Sequence, residues 1–184
     1  VGSEMCIRDR NGYKAMICNT IEISNREQDF IDMLRQNVMD GIITGAHSLQ
    51  DYAYLNLNKP VVAMDRNLGP DIPIIHSDHK AGGRMAARLL LDAGCRNVLN
   101  FGGSFRVHTP SNDRHQEFNR VMEENGASVK TIEMAWNMME YDYYCRIMEQ
   151  YMDIYRDIDG VFTTDIGALY LSLIHISEPT RLGM

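Results

Sequence analysis

The sequence has no run of about 18 apolar residues and no basic-then-apolar opening, so it reads neither as a membrane-crossing helix nor as a secretory leader. It also lacks a surplus of Lys and Arg. A formal net charge of -7 leaves nothing to neutralise a phosphate backbone, so any contact with DNA has to come from elsewhere. The four cysteines include no CxxC pair and no histidine at metal-ligand spacing. Cys18, Cys95 and Cys145 therefore read as buried or incidental thiols of a reducing compartment. No GxGxxG or GxxxxGK[ST] follows a strand, which excludes a phosphate loop, and Asp78 with Gly82 and Gly83 reads as a helix start and a close-packed helix. His76, His79, His108 and His115 have no Ser or Cys partner in a nucleophile motif and are expected to be solvated or turn residues. No cofactor, metal or catalytic constellation is expected.

What is present is a periodic α/β pattern. With 45% hydrophobic residues, 184 positions suffice for one domain, or for a piece of a larger one cut at both ends. The two ends break the pattern: residues 1–10 (VGSEMCIRDR) and 171–184 (LSLIHISEPTRLGM) look like translated sequencing adapter and are set aside. From Tyr13 onward short apolar runs alternate with longer amphipathic ones, the signature of βαβ units and a parallel sheet. Strands are expected at Lys14 to Cys18, Gly41 to Thr44, Val61 to Asp65, Ile74 to Ser77, Asn97 to Gly102, Lys130 to Ala135 and Gly160 to Thr164. Phe30, Ile31, Leu34 and Val38 recur at helical spacing, as do Met85, Leu89 and Leu90 between Lys80 and Ala93, and both stripes are expected to face the core. A third helix runs from about Asn112 to a glycine stop at Asn125-Gly126, and a fourth from about Glu140 to Tyr155. Met134, Met138, Met139, Met148 and Met152 read as core packing rather than a metal box. The expected hinge is Gly102-Gly103-Ser104.

Several segments, in order and at the expected separations, resemble the effector-binding domain of LacI/GalR-family transcriptional regulators. Residues 11–20 (NGYKAMICNT) look like its second strand, and residues 39–43 (MDGII) are similar to its VDGII strand. Residues 59–66 (KPVVAMDR) resemble PVVxxDR. Residues 77–87 (SDHKAGGRMAA), with LLLDAG at 89–94 and VLNFGG at 98–103, are similar to the DNxxGG helix and the strand after it. Asp113-Arg114 with Phe118 looks like ERxxGF, and residues 157–162 (DIDGVF) with Asp165 and Ala168 look like DIDGVFxxNDxxA. Each piece alone is common; their order over residues 11–170 is what is specific. The resemblance implies two Rossmann-like lobes of periplasmic-binding-protein type with ligand in the cleft between them, truncated at both ends. Residues 11–103 are expected to form the first lobe and 104–170 part of the second.

Asp65 ends an apolar strand, where open α/β sheets place ligand-binding groups; the resemblance implies a cleft-facing carboxylate, the alternative being a cap on the following turn. Arg66 is expected in a structural role. Arg114 stands four residues before the core-facing Phe118; the resemblance implies that it holds effector, the alternative being a surface pair with Glu117. Trp136 stacks on a ligand ring by resemblance, or else packs in the core. Thr164 and Asp165 occupy the family's Asn-Asp positions, with a hydroxyl in place of the ligand-touching amide. The implied protein is not an enzyme. It is a cytoplasmic, homodimeric regulator that binds a sugar or related small polar metabolite in the cleft, the effector changing the DNA affinity of a helix-turn-helix outside this segment. A periplasmic sugar-binding protein of a transporter shares the fold and is the alternative.

Overall fold

A computed structural model describes residues 11–18, 26–45, 53–54, 57–102, 105, 109–135 and 140–164. The expected adapter-like ends, Trp136, Asp165 and most of the Gly-Gly-Ser hinge lie outside these residues. Among them the chain forms two three-stranded parallel sheets: β1 (Ile42–Thr44), β2 (Val61–Met64) and β3 (Ile74–Ile75) in the order β1-β2-β3, and β4 (Asn97–Gly102), β5 (Ser128–Glu133) and β6 (Gly160–Thr163) in the order β5-β4-β6.

On the first sheet, α1 (Arg26–Arg35) buries Ile31 and Leu34 against Tyr54, Val61, Ala63 and Leu68. The same core holds a charge pair. Glu27 and Arg66 are 2% and 5% exposed at the side chain and meet at 3.0 Å, with the guanidinium 5.3 Å from the centre of the Tyr54 ring. The Tyr54 hydroxyl donates to the same Glu27 oxygen, and burial followed by that carboxylate pushes its pKa well above the usual phenol value. Arg66 is therefore structural and does not pair with Asp65. Helix α1 stops where Asn37 takes φ 60°, so Val38 is exposed rather than on the core stripe. Residues 14–18 form no strand among the described residues, and Met16 and Ile17 are exposed. An apolar run becomes a strand only where a neighbouring strand takes its backbone groups, and β1 is the edge of this sheet among the described residues.

A long helix leads from the first sheet to the second. α2 (His79–Asp92) follows β3, capped by the Asp78 carboxylate, which accepts from the Ala81 amide at 2.9 Å. It packs on α3 (Asn112–Glu124), and β4 is the central strand of the second sheet. The segment between Ile75 and His79 joins the last strand of the first sheet to α2, and β4 shares its sheet with the strands that follow it. The buried face of α2 also differs: Met85 and Leu89 are 65% and 69% exposed, while Gly83 and Ala87 face inward. A Cβ on Gly83 would lie 2.3 Å from the Arg114 carbonyl oxygen and 3.1 Å from the Phe118 nitrogen. Two helices this close select small residues, so Met85 and Leu89 of the expected stripe point away, while Leu90 packs against the core with Ala87 and Phe118.

β4 alternates strictly. Val98 faces α2 and α3 with Phe118 and Met122, while Leu99 and Phe101 face α4 (Tyr141–Ile154) with Tyr144, Met134 and Met148, so helices cover both faces. Gly126, at φ 76°, follows α3 and takes the left-handed turn that leads into β5. Asp159 joins the outer strand to the centre: its carboxylate accepts from the amides of Arg96 (2.7 Å) and Asn97 (2.9 Å). Cys95 is buried and Cys18 exposed.

Gly83→Ala is expected to lower unfolding free energy by about 1–3 kcal/mol, because the obstructing atoms are backbone and cannot step aside. Gly82→Ala, with nothing within 4 Å of its Cβ, should instead gain about 0.5–1 kcal/mol. Urea unfolding of the two variants checks the pair.

Candidate ligand-binding site

In the order β5-β4-β6, the chain runs from the central strand to one edge and then crosses back to the other, a reversal of strand order that places a candidate crevice outside the carboxyl ends of β4 and β6. The carboxyl end of β2 faces the same region from the first sheet, because His79, the first residue of α2, reaches both. Asp65, immediately after β2, has φ 51°, an uncommon conformation for a residue with a side chain. Its Oδ1 lies 2.6 Å from His79 Nε2, and the carboxylate remains 47% exposed. On the other side of the ring, His79 Nδ1 is 2.7 Å from Arg114 Nη2. Asp65 of the first sheet and Arg114 of α3 are thus separated by one imidazole.

The alternative pairing of Arg114 with Glu117 does not form. Glu117 accepts from Arg120 (2.8 Å) and Arg84 (3.1 Å), and those bonds hold its carboxyl down at about 2. Nor is Asp65 only a turn cap, since its carboxylate meets the ring of a residue 14 positions on. Thr164 stands just past β6 with its hydroxyl 3.1 Å from His115 Nε2. Trp136 and Asp165 lie outside the described residues, so the structure brings together Asp65, Arg114 and, one residue further along α3, the support of Thr164.

Both supporting histidines run against the sequence reading, which expects solvated or turn residues: His79 is 4% exposed and His115 2%. His115 falls on the inward face of α3 with Asn112, Phe118 and Met122, and that spacing was the signal available to find it. His79, at a helix start, carries no periodic signal. Around His115 a polar chain crosses the lobe. His115 Nδ1 meets Asn100 Oδ1 at 2.7 Å, Asn100 Nδ2 donates to Asn119 Oδ1 at 2.7 Å, and Asn119 Nδ2 donates to Thr131 Oγ1 at 2.8 Å. With the Asn100 amide nitrogen committed to Asn119, its oxygen can only accept, so His115 donates from Nδ1 and takes the Thr164 hydroxyl proton at Nε2. Phe105 and Phe162 enclose the ring, with centroids at 6.0 and 5.3 Å. Burial first, and the Arg114 charge second, push the His115 pKa down to about 4. The exposed Thr164 hydroxyl consequently keeps its lone pairs to accept with. Among the described residues no cluster of three or more His, Cys, Asp or Glu is placed to hold a metal, and no helix is long and apolar enough to cross a membrane.

Two parallel α/β layers with polar groups gathered at their facing strand ends define a two-lobed, periplasmic-binding-protein-like ligand-binding domain. Comparison with known proteins narrows the class. No protein-family model matches the chain. It is 41% identical over 112 residues to the sucrose operon repressor of Streptococcus mutans, covering 61% of this chain and 35% of that protein. It is 32% identical over 153 residues to the ribose operon repressor of Halalkalibacterium halodurans, covering 83% and 45%. Among solved structures, a periplasmic binding protein/LacI transcriptional regulator from Alkaliphilus metalliredigens complexed with D-xylulofuranose superposes with a TM-score of 0.75 at 25% identity, over 94% of this chain and 64% of that one. In sequence and in fold the segment is similar to the effector-binding domain of LacI-family repressors, and it spans about half or less of the curated relatives' length.

His115 is neutral in the folded protein and protonates in the unfolded chain once the pH drops below its ordinary value of 6.5. Stability is therefore expected to fall, by on the order of 3 kcal/mol, between pH 6.5 and about 4. His115→Gln should flatten that slope in urea midpoints measured across the range.

Proposed function

We propose that this chain is the effector-sensing part of a cytoplasmic LacI-type transcriptional regulator that binds a sugar or a related polyhydroxylated metabolite in the cleft between its lobes. The observation that carries the reading is the convergence of Asp65 from one lobe and Arg114 from the other on a single buried histidine. One group accepts and the other donates, which suits hydroxyls, each of which does both. A ligand gripping both lobes favours the closed arrangement by its differential affinity for it, and that is the whole of what an allosteric effector can supply. Trp136 supplies a stacking face and Asp165 supports Thr164. DNA is contacted by a helix-turn-helix outside this segment, in keeping with a net charge of -7 here, and the working regulator is a homodimer. Relatives that are operon repressors favour this reading over a transporter's binding protein.

The test is to titrate the full-length protein, bound to its operator, with sucrose, D-ribose, D-xylulose and a purine base. One of the sugars is expected to change DNA affinity, with Asp65→Asn and Arg114→Ala each weakening sugar binding about 10–100-fold at unchanged melting temperature. If none of the four binds or shifts DNA affinity, the reading is wrong.

A further inference from the structure

His79 is the least exposed of the three groups in the Asp65–His79–Arg114 row, its side chain only 2% exposed. Both of its nitrogens are engaged, and the chemistry of the neighbours decides where its proton sits. A carboxylate only accepts and a guanidinium only donates, so the ring donates from Nε2 to Asp65 Oδ1 (2.6 Å) and accepts at Nδ1 from Arg114 Nη2 (2.7 Å). The opposite tautomer would face two donors on the Arg114 side and two lone pairs on the Asp65 side; an imidazolium would face a second cation. His76 stacks on the ring at 5.9 Å and is occupied with the Ser77 carbonyl, leaving the row undisturbed.

The geometry points to His79 as the positioning residue of the cleft. It presets the Asp65 carboxylate as an acceptor and the Arg114 guanidinium as a fork of donors, one imidazole apart, and so selects a neutral ligand with two neighbouring hydroxyls, one donating to Asp65 and the other accepting from Arg114. This rests on the effector-binding reading above. Three observations carry it. Asp65 has spent only one carboxylate oxygen and is half exposed; Arg114 has spent one of its guanidinium N–H groups; and neither side chain makes a hydrogen bond among the described residues other than the one to His79. An anionic ligand drawn to Arg114 would bring its charge up against Asp65, whereas a diol satisfies both groups.

Two arms test it. Nitrogen-15 NMR of the imidazole in the ligand-free protein should show Nε2 protonated and Nδ1 bare at neutral pH; an Nδ1–H tautomer or an imidazolium would overturn the proposal. In calorimetry with sucrose and D-ribose, His79→Phe should raise Kd about tenfold or more, and His79→Asn, which restores one donor and one acceptor, should recover part of it. A folded His79→Phe that binds as tightly as the wild type would sink the idea. If His79→Phe does not fold, His79→Asn is read in its place: a Kd between twofold and tenfold above wild type supports the assignment, and an unchanged one overturns it. Should neither sugar bind the wild-type protein, the functional reading falls, and the tautomer still decides whether His79 holds the two groups in place.

Discussion

Backbone contact between α2 and α3 at Gly83 sets how His79 stands against Arg114 and His115. His79 is the first residue of α2, and Arg114 and His115 begin α3; all three side chains are carried on two rigid helices whose separation is fixed by a missing Cβ. A displacement of an ångström between the helices would be a displacement of an ångström between His79 and Arg114, which is most of the tolerance of a hydrogen bond. The ion pair from Arg84 to Glu117 braces the same helix pair from the solvent side, with Arg120 holding Glu117 from within α3, and there it contributes direction more than stability. Packing at one glycine thus becomes the precision of a polar site some residues away.

The two lobes solve the problem of buried polarity in different ways. The first keeps a charge pair, Glu27 with Arg66, and offsets its desolvation by adding the Tyr54 hydroxyl and a cation–π contact. The second keeps its buried imidazole neutral and threads it into a chain of amides and hydroxyls. The first arrangement fixes α1 to the residue that follows Asp65. The second fixes the hydroxyl of Thr164 at the carboxyl end of β6. Each serves as a scaffold for a neighbour that remains accessible.

Much of this fold is legible in the sequence because parallel strands covered on both faces read as short apolar runs: β4 is found at its expected bounds, and α3 and α4 within a residue or so of theirs. The errors share a cause. Residues 14–18 are apolar but have no neighbour to pair with among the described residues, and Met85 and Leu89 are apolar but lie opposite the glycine-lined contact. Periodicity reports what a segment could bury, while only the tertiary partner decides what it does bury. At the site, Asp65 and Arg114 are visible from their places at the ends of elements, but the residue that joins them is not. A histidine at a helix start looks the same in sequence whether it faces water or a carboxylate from another sheet.

The backbone at Asp65 carries one more implication, for how such a site changes over generations. A left-handed φ of 51° is tolerated by Asp, Asn and Gly and resisted by branched side chains, so the set of residues that fit there is short. Asp and Asn differ by one nucleotide and by one full charge, with almost no difference in shape. The strained turn therefore acts as a filter on mutation: it blocks substitutions that would distort the lobe and leaves open the one that changes the charge facing His79. A change of charge beside His79 therefore needs no prior loosening of the fold that holds it.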